Sequence, residues 1–187
     1  ASPVKPRSIG GIDGKNVYTV RNVADIVHLK DGLEAAGAEN TAVIGGGFIG
    51  IEVAENLAKA GKKVTVVEAM NQILAPFDYD MVQMLHKELL DNGVSLIVED
   101  GVKTIEEKQI TLASGKTVPA DAVILAIGVA PETGLAKAAG LEIGETGGIL
   151  VDHNYRTSDK NIYAVGDAIE VFDRMTGKPS RLALAGP

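Results

Sequence analysis

The sequence predicts an α/β domain built on a parallel sheet, and three observations carry that prediction. Short apolar runs at Thr41–Ile44, Val64–Val67, Ser95–Val98 and Ala122–Ile127 alternate with stretches in which apolar residues recur at helical spacing. A glycine-rich turn, Gly45-Gly46-Gly47-Phe48-Ile49-Gly50, separates the first of these runs from the helical stretch after it. Aromatic residues make up only 4% and Trp is absent, while there are 22 Gly, a composition suited to close helix–strand approach.

Each element follows from local signals. Pro3 and Pro6 hold the first residues extended, and Tyr18 and Val20 mark a short strand. Asn22 is a helix N-cap with Asp25 in the first turn; Ile26, Leu29, Leu33 and Ala36 then follow at helical spacing and Gly37 stops the helix, so 22–36 is expected to be amphipathic. After the glycine turn, Ile51, Ala54, Leu57 and Ala58 share one helix face, with Gly61 as the stop. Met81, Met84, Leu85 and Leu89 mark a further helix ending at Asn92-Gly93, with the two methionines expected in the core. Ile110–Leu112 and Thr117-Val118 flank a Ser114-Gly115 turn and predict an antiparallel hairpin. One or two helical turns are expected at 134–139, then short strands at Ile149–Val151 and Ile162–Val165.

Composition narrows the function. At about 100–200 residues per domain, 187 residues make one domain, or one domain with pieces of another. With 45% hydrophobic and 23% charged residues the chain is globular rather than disordered or fibrous. The net charge of −7, from 18 basic and 25 acidic residues, argues against a nucleic-acid partner. No apolar run approaches the ~18 residues of a membrane span. No signal peptide is expected either, and a cytoplasmic location is. With no Cys, a disulfide framework and a thiolate nucleophile within these residues are excluded, and no metal site is expected. Both ends of the chain read as interrupted in mid-element.

The glycine turn has the form G-x-G-x-x-G, which is weak evidence alone. Here it follows a strand, opens a helix and is followed by Glu68 at the end of the next strand, 18 residues beyond Gly50. That spacing is close to the ~20 of a dinucleotide-binding βαβ unit. Gly45 permits the tight turn, Gly47 lets backbone approach a pyrophosphate, and Gly50 lets helix and strand pack closely. The helix N-terminus offers free N–H groups and partial positive charge to phosphate. Glu68 can accept from both ribose hydroxyls of adenosine and would repel a 2′-phosphate. Ala69, Met70 and Asn71 supply no cation for such a phosphate, so NAD is expected over NADP. An S-adenosylmethionine methyltransferase shares the turn and the acidic residue, but the inserted hairpin and the C-terminal segment are unlike that fold.

A second phrase, Thr157-Ser158-Asp159-Lys160-Asn161-Ile162-Tyr163-Ala164-Val165-Gly166-Asp167, resembles the second flavin-binding signature of flavoproteins with two dinucleotide domains. Together the phrases resemble the pyridine nucleotide-disulfide oxidoreductases, and most closely their coenzyme A-disulfide reductase and NADH oxidase/peroxidase branch. Residues 45–52, Ala-Pro-Phe-Asp at 75–78, Ala-Ile-Gly-Val-Ala-Pro-Glu-Thr at 126–133, and Phe172 to Pro187 look like that branch. The resemblance implies a Rossmann-like FAD/NAD(P)-binding fold with an inserted antiparallel hairpin or meander. It implies that 1–14 leaves an FAD domain, 15–148 is an NAD-binding domain, and 149–187 re-enters the FAD domain. The family's N-terminal flavin half, its cysteine and its C-terminal dimerisation domain would lie outside these residues.

The implied activity is hydride transfer from NADH to FAD, then electron transfer to a thiol or disulfide, peroxide or oxygen. No catalytic residue is expected within the 187 residues, which alone should not turn over. A ferredoxin-type reductase and a non-catalytic nucleotide-binding module are the alternatives. The resemblance assigns Gly45, Gly47, Phe48, Ile49, Gly50, Glu52, Glu68 and Gly128 to NAD(H), and the Asp167 carboxylate to the ribityl hydroxyls of FAD. Phe48 also reads as simple packing at the helix start, Glu52 as a solvated helix carboxylate, and Gly128 as a strand-to-loop glycine. His28, His86 and His153 lack partners at motif spacing and are assigned structural or surface roles.

Overall fold

The computed structural model describes residues 1–181, so the expected family match at Leu182–Pro187 lies outside the described residues. The described residues form two compact units: Pro3–Gly128, and Ala1–Ser2 together with residues 129–181. The two-residue strands β1 (Ser2–Pro3) and β10 (Val129–Ala130) mark the two places where the chain passes from one unit to the other.

The first unit holds β2 (Val17–Thr19), α1 (Val23–Ala35), β3 (Asn40–Ile44), α2 (Phe48–Lys59), β4 (Lys63–Val67), α3 (Tyr79–Asp91), β5 (Ser95–Ile97), a meander of β6 (Val102–Ile105), β7 (Gln109–Leu112) and β8 (Thr117–Pro119), and finally β9 (Ala122–Leu125). Five of the strands make one parallel sheet in the order β2-β9-β3-β4-β5. The meander is a separate antiparallel sheet, β6-β7-β8.

The centres of the strands are mostly apolar because both faces of the sheet are covered. Val43, Val66 and Ile124 pack with Leu29 and Leu33 of α1, Ala54 and Leu57 of α2, and Val82 and Leu89 of α3. The alternate residues Ala42, Ile44, Val67, Val123 and Leu125 pack with Ile105, Ile110, Leu112 and Val118 of the meander. The Asn22 cap forms as expected: its side chain accepts from Asp25 N–H, and Asp25 accepts from the Asn22 N–H.

Three expectations need correction. Met81 and Met84 are 54% and 68% exposed, not core, because α3 is rotated to bury Val82 and Leu89 instead. On α1, Leu29 and Leu33 carry the buried face, while Ile26 is exposed. Residues 162–165 do not form a strand: a lone bridge joins Arg156 and Tyr163, and Ile162, Tyr163 and Val165 stay exposed, so no buried face pulls the segment into a sheet.

The second unit contains the short helix α4 (Gly134–Ala138), β11 (Ile149–Leu150), a single 3₁₀ turn at Gly166–Ala168, β12 (Ile169–Asp173) and β13 (Lys178–Ser180). β11 pairs parallel to β12, and β12 pairs antiparallel to β13. Buried Glu170 anchors the turn before β11, accepting from Thr146 N–H and Thr146 Oγ1 at 2.6 Å each.

At the amino edge of the parallel sheet, Asp121 ties β9 to β3. Its Oδ2 accepts from the N–H groups of Asn40 (2.9 Å) and Glu39 (3.1 Å), while Lys108 Nζ lies 3.2 Å from Oδ1. The Asn40 N–H first, then Glu39 and Lys108, favour the charged carboxylate over the opposing effect of desolvation and hold its pKa down at about 2. A lowered folded-state pKa stabilises the fold fully above the unfolded value of roughly 3.9, and that stability is lost as pH falls toward 2. Asp121→Asn is therefore expected to lower stability by about 1–2 kcal/mol at neutral pH and to flatten the acid limb between the two values. Urea unfolding at a series of pH values checks both, and an unchanged acid limb would remove Asp121 from this role.

Candidate functional site

From β3 the chain steps outward to β4 and β5, whereas β9 and β2 lie on the other side of β3. The order reverses beside β3, and open α/β sheets collect ligands at such a reversal, beyond the carboxyl ends of the strands. A cleft of about 460 Å³ lies there. It is walled by Gly45–Gly47, by Glu68–Met70 at the end of β4, by Leu74–Pro76, and by Ala126–Gly128 after β9. Ile44 and Val67 at the strand ends, with Pro6, Ser8, Ile9, Gly101 and Val102, complete the lining.

The glycines differ in what constrains them. Gly45 has φ 106°, in the left-handed region, and a side chain there would run into the Ala126 carbonyl. At Gly50 a Cβ would run into the Gly45 carbonyl, so α2 can approach the turn only because that position is bare. Gly47 is the opposite case: no protein atom lies within 4 Å of a Cβ built on it, and its φ of −75° suits any residue. Nothing in the fold requires glycine at 47, and the bare backbone faces open space. As the N-cap of α2, Gly47 makes no side-chain cap bond, and the first turn of that helix contains no acidic residue. Its amino end is thus electropositive, with no acidic side chain in the first turn of the helix itself to cap it.

Glu68 is held in place by backbone. Its Oε2 accepts from Gly46 N–H at 2.7 Å and its Oε1 from Met70 N–H at 2.8 Å. The carboxylate is partly buried and lines the cleft, and each oxygen keeps acceptor capacity. The bond to Gly46 fixes the end of β4 to the glycine turn, a link that spacing alone did not reveal.

The other expected residues fall in three places. Phe48 and Ile49 are 45% and 41% exposed at the start of α2, and the Phe48 ring meets Phe77 edge-on at 6.0 Å. Glu52 is exposed on α2 one turn further on. Gly128 lines the cleft at φ 117° and its carbonyl accepts from Val4 N–H. Asp167 is exposed on the 3₁₀ turn of the second unit. The cleft wall at Met70 and Leu74–Pro76 was not anticipated as lining; the Ala-Pro of the 75–78 phrase was the available signal. Of the histidines, His28 is exposed beside the Tyr18 ring, and His86 is partly buried and accepts from Ile73 N–H.

A βαβ crossover with a bare glycine at a helix N-terminus and a carboxylate ending the next strand defines a nucleotide-binding class of fold. The comparisons narrow this to one family: residues 1–185 match the model for pyridine nucleotide-disulphide oxidoreductases, and the chain belongs to that family. An NAD(P)H sulfur oxidoreductase (CoA-dependent) from Pyrococcus abyssi is 37% identical across 100% of this chain and 42% of its own length. The structure of reduced Bacillus anthracis CoADR-RHD is 45% identical, with a TM-score of 0.93 over 99% of this chain and 34% of that one. A water-forming NADH oxidase from Lactobacillus brevis, solved with NADH bound, is 31% identical with a TM-score of 0.84, over 98% of this chain and 41% of that one. A further solved structure, 35% identical with a TM-score of 0.86 over 99% of this chain and 48% of that one, is an FAD-dependent pyridine nucleotide-disulphide oxidoreductase from Desulfovibrio vulgaris. The chain thus spans under half the length of these relatives. No helix among the described residues is long and apolar enough to cross a membrane.

The glycine geometry separates two variants. Gly50→Ala is expected to force α2 off the turn and cost about 1–3 kcal/mol, whereas Gly47→Ala is expected to leave the unfolding midpoint within about 0.5 kcal/mol of the parent. Denaturant melts of the two variants side by side check this ordering.

Proposed function

We propose that the chain is the NAD(H)-binding portion of an FAD-dependent oxidoreductase that takes hydride from NADH to flavin and passes electrons to a thiol or disulfide, peroxide or oxygen. The observation that carries this reading is the convergence, in one cleft, of the bare Gly47 backbone, the α2 N-terminus without a side-chain cap and the Glu68 carboxylate. A cradle that a Cβ at 47 would fill, without disturbing anything else in the protein, fits a pyrophosphate pressed against backbone.

Each residue then has a task. Gly45 and Gly50 shape the turn, Gly47 and the N–H groups of Phe48 and Ile49 receive the pyrophosphate, and Glu68 accepts from the adenosine ribose. Gly128, at the end of the neighbouring strand, leaves room for the nicotinamide half, and Phe48 and Glu52 stand beside that half on α2. The dinucleotide, when bound, supplies the hydride; the protein holds the donor carbon in place and keeps the charges matched. Asp167 is assigned to the ribityl hydroxyls of FAD. In this reading 15–148 is the NAD-binding domain, and 1–14 and 149–187 belong to a flavin domain of a longer, cytoplasmic, homodimeric protein that binds neither nucleic acid nor membrane. The activities for which the relatives are named, sulfur reduction and oxygen reduction, support an acceptor of this range.

The reading predicts weak NADH binding that is preferred over NADPH. A charged acceptor's hydrogen bond is worth about 1.5–3 kcal/mol, and the 2′-phosphate would lose such bonds and face a like charge. Tenfold discrimination or more is expected, at ~1.4 kcal/mol per tenfold. Glu68→Ala should narrow the gap and Glu68→Arg should favour NADPH. Calorimetric titration of both cofactors decides it: equal affinities in the parent, or an unchanged ratio in Glu68→Ala, defeats the assignment of Glu68.

A further inference from the structure

The wall of the cleft formed by residues 70–76 is held in an unusual backbone path. Leu74 has φ 47°, a left-handed conformation that a branched residue adopts only when its surroundings impose it. Leu74 N–H donates to the Gly46 carbonyl at 2.8 Å, and Glu99 N–H donates to the Met70 carbonyl at 2.8 Å. Ile73 between them is fully buried, and its Cγ2 lies 2.5 Å from where a Cβ on Gly46 would sit, so the wall packs directly on the glycine turn. The Ile73 N–H points the other way, to His86 Nε2 on α3 at 3.4 Å.

We infer that His86 is a positioning residue for the dinucleotide cleft, its neutral imidazole accepting the Ile73 N–H and so pinning the 70–76 wall against the Gly46–Glu68 contact. An imidazole accepts at Nε2 only with its proton on Nδ1; the doubly protonated ring has no acceptor left. Partial burial disfavours the charged ring and lowers its pKa below the ordinary 6.5. Its helical neighbours Val82, Gln83, Leu89 and Leu90 carry no charge, nor do Gln72, Ile73 and Leu74 or the residues of β5, which packs on α3. The charged groups nearby in sequence, Asp78, Asp80, Lys87, Glu88 and Asp91, are all exposed, with Lys87 paired to Asp91 and Glu88 to Asn92. The acceptor is therefore present at neutral pH and lost as pH falls through the lowered value.

This role rests on the proposed reading of the cleft, and the test separates the two. The probe is ADP-ribose, which carries the adenosine and pyrophosphate without the acid-labile dihydronicotinamide ring of NADH. For the parent, affinity is expected to fall about three- to tenfold between pH 7.5 and 5.0, the worth of one hydrogen bond. His86→Gln, whose amide oxygen accepts at any pH, should remove most of this dependence, and His86→Leu should bind weakly at both pH values. Nitrogen NMR of the parent gives a reading independent of any variant: the neutral ring is expected as the Nδ1–H tautomer with its titration midpoint below 6.5. A pH profile unchanged in His86→Gln, or an Nε2–H tautomer, overturns the role of His86 while leaving the cleft reading intact. Absence of ADP-ribose binding by the parent at pH 7.5 overturns the cleft reading and this role with it.

Discussion

The approach of α2 to the strands is the constraint on which the carboxyl edge of the sheet depends. A helix can begin directly over the end of β3 only if its first turn carries no side chain toward the strand, and Gly50 meets that condition against the Gly45 carbonyl. Gly45 in turn must bend at positive φ beside the Ala126 carbonyl of the neighbouring strand exit. These two close approaches of glycine to a carbonyl decide where the helix starts and where its free N–H groups point. The Glu68 carboxylate, the cleft wall at 70–76 and the open face at Gly47 all take their positions from that start.

Two carboxylates work at opposite ends of the same sheet with similar chemistry. Asp121 at the amino edge and Glu68 at the carboxyl edge each accept two backbone N–H groups; Asp121 joins the start of β9 to the start of β3, and Glu68 joins the end of β4 to the turn that leaves β3. They differ in surroundings. Asp121 has Lys108 beside it and bonds within its own edge, a structural clasp. Glu68 lines a cleft 460 Å³ in volume and has capacity left for another donor, which is what a ligand residue requires.

Much of this was legible in the sequence where one physical requirement has one solution. The strand–glycine–helix–carboxylate order, the Asn22 cap and the covered sheet all follow from spacing and residue type. α3 was legible as a helix but not in its phase. Met81, Met84 and Leu85 form an apolar stripe beside Val82 and Leu89, and periodicity cannot say which stripe meets the sheet. Strand β6 and the non-strand at 162–165 were illegible for a related reason, since four residues are too short a pattern to decide between strand and loop: β6 is a strand through its pairing with β7, whereas 162–165 finds only the single bridge to Arg156. The bonds that build the site, Gly46 to Glu68 and Ile73 to His86, join side chain to backbone across loops and leave no periodic trace.

The strand order also fixes when the site can exist. β9 lies between β2 and β3, yet it begins at residue 122, 78 positions after β3 ends at 44 (122 − 44). During synthesis β2 has no neighbour and β3 has one bare edge until the whole meander has emerged. Such distant pairing is slow, because the intervening loop must be closed before any contact rewards it. The glycine turn, made early, therefore waits for Ala126 to give it a backstop. A ribosome stalled anywhere between the two would carry the motif without its pocket.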